Sequence, residues 1–456
     1  MAHGPLRLLL LFHGTWEDEC VAALQRRDDV QLVREGFETF GYPHVFRLLG
    51  FDARRYAERL VRRFRGELDA VWSNDDQFGA LLAAVLAQRL GLPGADPVSI
   101  VRAQHKLLLR RTLANAMPAA NVRAAALPWP LTDRRCRDPR ALAAAVADAG
   151  MAFPLFAKPV KGTFSALARR VASAEELAAH LRLSFADRWL LCRVQRPFAQ
   201  LAGELVPLPC GPDHVLLEEA LRGVQINVDA YACRGRVQVL GVVDECMYPG
   251  EVAGARHFAG FTLPSRLPGE LQQRAAAVAA SAITAVGYDH GLCNVELFAA
   301  DDGSVRVIEI NPRAAGQFAT MYRAVAGVDI ERLAIELARG GDPDALPRIA
   351  PSAGAAASFV FRRFDGRPGT EPDAAARAWL QQRHPDSRLW TEPCSPRQLR
   401  REYRWLGSHR YAVWNHAAVD FATLLRDGEE AARRLFDVAM PLSGAVEAPR
   451  APAQGA

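Results

Sequence analysis

Two acidic residues in the second half of the sequence, Glu296 and Glu309, have the surroundings of a metal site. Each lies in a strand-like, largely apolar run, at 294–300 and 305–311. The Asp302-Gly303 pair between the runs is a strong hairpin signal, and a tip at that pair places the two glutamates opposite each other. Because like charges that face each other across a sheet destabilise it by up to about 1 kcal/mol, we expect the pair to bind a cation.

The same register places Asn294 opposite Asn311, with both side chains on the face that carries the glutamates. Carboxylate and amide oxygens are hard ligands that suit Mg²⁺, which completes its shell with water and phosphate oxygens. We therefore predict a site for Mg²⁺, with Mn²⁺ as an alternative, held by Glu296, Glu309 and Asn311. A solvated acidic hairpin is the other interpretation, and the apolar residues around Glu309 argue against it.

The elements that must position this hairpin are indicated by the hydrophobic pattern. In the N-terminal section strands alternate with helices, which predicts a doubly wound parallel sheet. The strands are expected at 8–12, 30–34 and 68–73, and the helices at 54–65 and 78–90. No Gly-x-Gly-x-x-Gly follows the first strand, so the pattern does not predict a dinucleotide site there.

The section from 98 to about 345 mixes helices and strands, which predicts an α+β architecture. Its helices are expected at 101–116, 174–183, 270–286 and 319–339, the last with a break at Gly327. Its strands are expected at 154–158, 226–232 and 237–243 and around Leu190 and Leu216.

A Gly- and Pro-rich stretch at 340–351 precedes the C-terminal section, 352–440. Strands at 357–364 and 411–414 and an amphipathic helix at 421–436 are expected there. The Ala- and Pro-rich tail, 441–456, is expected to be disordered.

An ordered series of motifs resembles the ATP-grasp superfamily over roughly residues 90–340. The motifs are Leu92-Pro93-Gly94 with Gln104-His105-Lys106, then 156–165, 216–225, Asn294-Val295-Glu296 and Glu309-Ile310-Asn311-Pro312-Arg313. The resemblance implies an ATP-grasp fold of two α+β subdomains at 98–345, with a hinge near 217–222. A doubly wound α/β domain at 1–97 precedes it, and a small C-terminal α+β or lid domain at 352–440 follows.

The resemblance also implies an ATP site. Lys106 and Lys158 correspond to lysines that contact the α- and β-phosphates, while Glu218 and the backbone at Leu221 correspond to the adenine site. The nucleotide-binding residues implied in this way are Lys106, Lys158, Gly162, Ser165, Glu218, Glu219, Ala220, Leu221 and Gln225. Two positions depart from the family pattern: His105 stands where Asp is usual, and Gln225 stands where Glu normally binds the ribose, which keeps an acceptor without the charge.

Phosphoryl transfer is catalysed mainly by positioning and by neutralising charge on the moving group. Arg313, which follows the metal strand, could bind a phosphoryl oxyanion in bidentate fashion, and with Lys158 it is a candidate catalytic residue. Lys161 is interpreted as a mobile loop residue. Glu245 and His257 lie between the hinge and the hairpin, where the family tends to place substrate loops, and they are weaker candidates for substrate contact.

The resemblance implies an ATP-dependent carboxylate-amine ligase that forms an amide or peptide bond through an acyl phosphate and releases ADP and phosphate. Its partners would be a small carboxylate and a small amine, which the sequence does not identify, and a homodimer is the commonest assembly for such chains. Within the same fold, a biotin-carboxylase-like or nucleotide-pathway enzyme is an alternative. A non-catalytic ATP-binding regulator is an alternative from another class.

Composition restricts the function further. The net charge of +5, from 56 basic and 51 acidic residues, is too small to favour nucleic acid, and no dense basic block is present. No apolar stretch has transmembrane length without charges, and Leu6 to Phe12 is read as a buried strand rather than a signal peptide. The eight cysteines lack metal-site spacing, which favours free thiols and a cytoplasmic location.

Overall fold

The computed structural model describes residues 4–39, 44–129, 138–162, 166–251 and 255–442. Ser165 lies outside the described residues, as does the predicted disordered tail from residue 443 onward. No helix in the described part of the chain is both long enough and apolar enough to cross a membrane.

The N-terminal section forms the predicted parallel sheet, with strand order β2-β1-β3. The strands are β1 (Leu6–Leu11), β2 (Val30–Glu35) and β3 (Ala70–Trp72), and the helices are α1 (Asp18–Gln25), α2 (Ala53–Phe64) and α3 (Gly79–Leu90). The central strand is apolar because it is buried on both faces, where Leu8 and Leu10 enter one core cluster and Leu9 and Leu11 another.

The helix predicted at 101–116 is interrupted. It consists of α4 (Pro97–Gln104) and α5 (Lys106–Ala116), which are separated at His105. His105 has an extended backbone, and its Nδ1 accepts a hydrogen bond from the backbone amide of Leu108 at 3.4 Å, so the ring acts as the N-cap of α5. As a result, Lys106 becomes the first residue of a helix, where its backbone amide donates to the carbonyl of Val160 at 3.1 Å.

A four-stranded antiparallel sheet follows, with strand order β4-β7-β5-β6. Its strands are β4 (Ala124–Pro128), β5 (Leu155–Pro159), β6 (Arg169–Val171) and β7 (His214–Glu219), and its helices are α6 (Pro139–Asp148), α7 (Ala174–His180) and α8 (Phe185–Leu205). The strand predicted around Leu190 is wrong because that residue lies within α8. Ser184 caps α8 by accepting from the amide of Asp187 at 3.1 Å, and the buried residues Leu190, Phe198 and Leu201 recur with helical spacing.

The largest unit is an eight-stranded antiparallel sheet with order β12-β11-β8-β9-β10-β13-β15-β14. Its strands are β8 (Val224–Cys233), β9 (Arg236–Met247), β10 (Phe258–Leu263), β11 (Gly291–Ala299), β12 (Val305–Asn311), β13 (Ala355–Arg363), β14 (Arg388–Thr391) and β15 (His409–Ala418). Its helices are α9 (Gly269–Val286), α10 (Ala319–Ala326), α11 (Ile330–Ala338), α12 (Ala374–Arg383), α13 (Pro396–Leu406) and α14 (Phe421–Phe436). The strands of the C-terminal section therefore extend this sheet and do not form a sheet of their own.

The break predicted at Gly327 is confirmed, since this glycine separates α10 from α11. Its φ of +66° is in the left-handed region, and a Cβ there would lie 2.0 Å from the carbonyl oxygen of Ile349. Only glycine fits that close approach.

The two faces of the large sheet differ in polarity near its β12 edge. In β8, Ile226, Val228 and Ala230 are buried in the core cluster that includes α9. The alternate residues, Asn227 and Asp229, are buried polar residues on the opposite face. That polar face carries the candidate site.

Candidate active site

The hairpin β11–β12 brings Glu296 opposite Glu309 and Asn294 opposite Asn311, as predicted. The pairing is reached by an unexpected route. Near the tip, Ala299 pairs with Val305, a register that would place Glu296 opposite Ile308. A bulge at Ile308 shifts the register by one residue, and this restores the pairing of the two glutamates.

Arg110 on α5 supports this bulge. Its Nη1 donates to the carbonyl oxygen of Val307 at 2.6 Å, and its Nη2 donates to the carbonyl oxygen of Ile308. The guanidinium is buried, with 3% of the residue exposed. The helix that carries Lys106 is thus joined to the strand segment that sets the position of Glu309.

Hydrogen bonds between neighbouring strands orient the polar face. The amide nitrogen of Asn311 donates to Glu296 at 3.0 Å and to Asn294 at 3.2 Å, and Asn294 donates to Asp229 at 3.0 Å. The Tyr322 hydroxyl on α10 donates to the other oxygen of Asp229 at 2.8 Å. Because each side chain is held by the next, Glu296, Asn294 and Asn311 are preorganised.

The carboxylates on this face are not equivalent. Desolvation, followed by the charge of Glu309, raises the pKa of Glu296 to about 8. Burial also opposes ionisation of Glu309, but the charges of Lys106 and Lys158 outweigh it and lower its pKa. Glu245 accepts from Asn227 at 2.6 Å, and burial together with the charge of Glu296 raises its pKa well above the usual value. Of these three acids, Glu309 alone has an ion-pair partner among the described residues, so a divalent cation fits Glu296, Glu309 and Asn311.

Lys106 contacts one acid of the facing pair, Glu309, directly. Its ammonium group forms an ion pair with Glu309 and donates to the carbonyl oxygen of Gly162 at 3.3 Å. Burial alone would lower the pKa of Lys106, but the Glu309 carboxylate reverses that effect and raises it. Lys106 and Gly162 therefore lie together beside Glu309.

Lys158 belongs to a second buried ion-pair set, on the four-stranded sheet. Its Nζ lies 2.8 Å from one oxygen of Glu218, while the Arg110 guanidinium lies 2.6 Å from the other. All three residues are almost completely buried. Despite the opposing effect of burial, the charges of Arg110 and Lys158 lower the pKa of Glu218 to about 2. The Glu218 carboxylate is thus engaged by two protein cations.

Arg313 follows β12 and faces the N-terminal section. Its Nη2 lies 3.6 Å from Asp76, whose side chain also accepts from Gln104 at 3.0 Å. Burial opposes ionisation of Asp76, but the charges of Lys161, Arg313 and Lys106 outweigh it and lower its pKa. Asp76 therefore contributes a carboxylate from the N-terminal section to this site.

The interpretation of Lys161 as a mobile loop residue is wrong. Only 4% of the residue is exposed, and its Nζ donates to the backbone carbonyl of Asp76 at 2.7 Å and lies 5.1 Å from the centre of the Phe198 ring. Sequence reasoning missed both Lys161 and Asp76. The run Asn74-Asp75-Asp76 directly after the short third strand was the available signal for Asp76, since polar residues at the carboxyl ends of parallel strands commonly form sites.

The hinge segment is packed against the hairpin. Gly223 has a φ of +131°, and a Cβ there would lie 2.3 Å from the carbonyl oxygen of Ala299. The Glu219 carboxylate accepts from the backbone amide of Arg123 at 3.2 Å and from the Arg306 guanidinium at 3.3 Å. Ala220 and Leu221 follow the end of β7, and Gln225 alternates with Asn227 along β8, which places it on the polar face.

The two weaker candidates separate in the structure. Glu245 lies on the polar face beside Asn227. His257 is buried, its Nδ1 lies 3.2 Å from the Ser408 hydroxyl, and its ring packs at 5.3 Å from that of Phe364. Glu245 is therefore brought to the acid pair, whereas His257 contacts the C-terminal section.

Comparisons with known proteins agree with this geometry. Residues 151–321 match the model of the ATP-grasp domain. Carnosine synthase 1 from Gallus gallus is 30% identical over 364 residues, an alignment that covers 78% of this chain and 37% of the relative. The chain therefore spans little more than a third of the length of that curated relative.

Solved structures show the same fold at low sequence identity. An L-amino acid ligase from Bacillus licheniformis has a TM-score of 0.70 at 15% identity, covering 96% of this chain and 100% of that chain. A phosphoribosylglycinamide synthetase from Anaerococcus prevotii has a TM-score of 0.60 at 12% identity, covering 95% of this chain and 100% of that chain. A biotin carboxylase from Campylobacter jejuni has a TM-score of 0.58 at 14% identity, covering 96% of this chain and 94% of that chain. Since the domain match spans the hinge and the acidic hairpin, residues 151–321 contain an ATP-grasp domain, and the whole chain shares the fold of these solved structures.

Proposed function

We propose that this protein is an ATP-dependent carboxylate-amine ligase, an ADP-forming enzyme that makes an amide or peptide bond through an acyl phosphate. The observation that carries the proposal is the convergence of three lysines and Arg313 on the acids Glu296, Glu309 and Asp76. A triphosphate needs cations around its oxygens, and a cation that binds its phosphates needs carboxylates. Both occur here, brought together from three parts of the chain.

ATP would bind between the two antiparallel sheets. Lys106 and Lys158 bind the phosphates together with Gly162, and Ser165, which lies outside the described residues, stays a proposed nucleotide contact. The backbone of residues 219–221 binds adenine, and Gln225 binds the ribose. The resemblance assigns Glu218 to the adenine site, but Arg110 and Lys158 hold its carboxylate, so we propose instead that it positions Lys158.

Mg²⁺, or Mn²⁺ in its place, would be held by Glu296, Glu309 and Asn311. These residues fit the ion because they offer hard oxygen ligands and because burial, followed by the charge of Glu309, raises the pKa of Glu296, which has no ion-pair partner among the described residues. The bound ion neutralises charge on the phosphate oxygens.

The first step transfers the γ-phosphoryl group. An oxygen of the substrate carboxylate attacks the γ-phosphorus, the bond to the bridging oxygen breaks, and ADP leaves. Arg313, held by Asp76, binds the transferring group and stabilises the charge that develops on its oxygens. In the second step the amine nitrogen attacks the acyl carbon, phosphate leaves with the bonding electrons, and the nitrogen loses a proton.

Amino acids or similar small acids and amines are the proposed substrates. The names of the Gallus gallus relative and of the Bacillus licheniformis structure support this class. Glu245, on the polar face, is a candidate contact for a substrate ammonium group, and His257, which packs against Ser408 and Phe364, is the weaker candidate. The free state of the seven cysteines that the structure describes is consistent with a reducing, cytosolic compartment.

The test is a phosphate-release screen of pooled amino acids and small amines with ATP and Mg²⁺, followed by mass spectrometry of the active pools. We expect phosphate and ADP in equal amounts and a product whose mass equals the two substrates minus water. Release that depends on bicarbonate would instead favour a biotin-carboxylase-like enzyme. Tight ATP binding without ADP formation in any pool would favour a regulator and contradict the proposal.

A further inference from the structure

Three potential metal ligands converge in the C-terminal section, away from the nucleotide site. His384 directly follows α12, His416 lies on β15, and Asp427 lies on α14. One ligand atom from each residue lies within 4.8 Å of the others. Elements that are distant in sequence therefore bring two imidazoles and a carboxylate to one point.

The geometry leaves one buried ligand atom unused. His416 Nε2 lies 2.8 Å from a carboxylate oxygen of Asp427, and the His384 and His416 rings are 4.5 Å apart between centroids. His384 is 7% exposed, and among the described residues its Nε2 has no hydrogen-bond partner. Because a buried polar atom without a partner is unfavourable, this nitrogen needs a ligand that the protein does not supply.

The chemistry of the three groups selects a class of ion. Imidazole nitrogens with one carboxylate suit Zn²⁺ and similar divalent transition metals, whereas Mg²⁺ prefers oxygen ligands alone. Burial lowers the pKa of both histidines, which favours the neutral imidazole that binds metal. Trp414 stacks on His416 with ring centroids 4.8 Å apart and planes 7° apart, which fixes the orientation of that ring.

We propose that His384, His416 and Asp427 form a binding site for a divalent transition-metal ion of the Zn²⁺ type, which cross-links α12, β15 and α14. Three protein ligands leave one tetrahedral position open. Water would fill it.

The proposed site is separate from the nucleotide site. The cross-strand pairs Glu245–Phe261, Phe261–Ser358 and Ser358–Asn415 share one face of the large sheet. His416 neighbours Asn415 along β15 and so projects from the opposite face. The acids that face the nucleotide and the histidine cluster therefore lie on different sides of the sheet.

A second group, Cys394, Glu402 and His409, also has atoms close enough to hold an ion. Its members already satisfy one another, because His409 Nδ1 lies 2.7 Å from Glu402 and the Cys394 thiol donates to the other Glu402 oxygen at 3.8 Å. This group therefore needs no added ligand, and Cys394 supplies a control for the histidine cluster.

The test uses the full chain, stripped with EDTA and then saturated with Mg²⁺ and ADP to block the nucleotide site. Calorimetric titration with Zn²⁺ should give one equivalent, and Co²⁺ in its place should give the visible absorption of a tetrahedral complex. His384→Gln and Asp427→Asn should each weaken Zn²⁺ binding by at least about tenfold. Zn²⁺ should raise the melting temperature of the wild-type chain but not that of either variant.

Cys394→Ser and Asp302→Asn are the controls and should bind Zn²⁺ as the wild type does. Circular dichroism in EDTA checks that every variant is folded. Asp427 is partly exposed, so Asp427→Asn carries the test if His384→Gln does not fold. No Zn²⁺ equivalent in the blocked wild-type chain, or wild-type affinity in a folded variant, would overturn the proposal. Either result would reduce the cluster to an ion pair beside a packed histidine.

Discussion

Two sets of buried acids lie near Arg110, and they differ in how far protein cations neutralise them. In the first, Glu218 is bound by Arg110 on one oxygen and by Lys158 on the other. In the second, Glu296 and Glu309 face each other near Glu245, and only Glu309 has an ion-pair partner among the described residues, Lys106. Protein cations engage both oxygens of the acid in the first set, whereas the second set contains more carboxyl groups than paired cations.

The pKa values express this difference. Two cations lower the pKa of Glu218 to about 2 despite its burial, while desolvation and a neighbouring carboxylate raise that of Glu296 to about 8. A carboxyl that is protonated near neutral pH in the empty protein is poised to exchange its proton for a metal ion. Glu218 therefore has its counter-charges within the protein, whereas Glu296 is the acid for which we propose a bound cation.

The largest expected effect is on turnover. Glu309→Gln removes a charge from the incomplete set, and we expect phosphate release to fall by about 10³-fold or more, equivalent to about 4 kcal/mol. The measurement is steady-state phosphate release with an identified substrate pair. Asp302→Asn makes the same chemical change at the exposed tip of the same hairpin and should leave the rate unchanged. Near-normal rates in folded Glu309→Gln would remove the metal assignment.

Glu218→Gln should act on stability. The substitution leaves two buried cations without their carboxylate, so we expect the free energy of unfolding at pH 7 to fall by about 3 kcal/mol. Urea denaturation measures this change. The matched control is Glu204→Gln, which removes a partly exposed acid that pairs with Arg89, and its effect should be below about 1 kcal/mol. Equal effects for the two variants would show that the buried ion pairs of Glu218 stabilise the fold no more than an exposed ion pair does.

Asp76→Asn tests whether the N-terminal section positions Arg313. The substitution keeps an oxygen for Gln104 but removes the charge that faces the guanidinium. We expect kcat to fall by about 10- to 100-fold with little change in the KM for ATP, because positioning errors act on the transferring group. Asp69→Asn, at an exposed ion pair with Arg7 of the same sheet, is the control. An unchanged kcat in Asp76→Asn would assign Asp76 to folding alone.

The smallest expected effect is a pH dependence of opposite sign in the two sets. Since the pKa of Glu296 is about 8 in the folded protein against an ordinary 4.5, the folded state binds this proton more tightly. The wild-type chain without metal or nucleotide should therefore lose stability as the pH rises from about 5 to about 9. Glu218, with its lowered pKa, contributes stability above about pH 4.5 that is lost as the pH falls toward 2.

Glu296→Gln should flatten the alkaline part of this profile and stabilise the empty protein by about 1 kcal/mol at pH 8.5. Urea denaturation at pH 6 and pH 8.5 provides the measurement, with Asp302→Asn again as the control. A slope that persists unchanged in Glu296→Gln would assign it to other groups.

Much of the fold, and one of the two acid sets, could be predicted from the sequence. The parallel N-terminal sheet, the motif order and the pairing of Glu296 with Glu309 all follow from local patterns. The route to that pairing could not be predicted, because the Ile308 bulge is held by Arg110, a residue distant in sequence. The break at His105 was missed because an imidazole that caps a helix is not part of the usual capping preferences.

The contribution of the N-terminal section was missed for a different reason. Asp76 meets Lys161 and Arg313 only through the packing of separate elements, and no local sequence pattern links it to either partner. Likewise, the charges that balance Glu218 come from α5 and β5, so its buried ion pairs required the three-dimensional structure. Local periodicity predicts the elements, but not which charges from different elements neutralise one another.

The central claim is that the incomplete acid set binds a cation together with the phosphates of the nucleotide. Anomalous scattering from a crystal grown with Mn²⁺ and ADP tests it most directly. We predict a Mn²⁺ peak between the carboxylates of Glu296 and Glu309, in contact with a phosphate oxygen. A peak elsewhere, with those carboxylates turned away from the ion and from Lys106, would contradict the account.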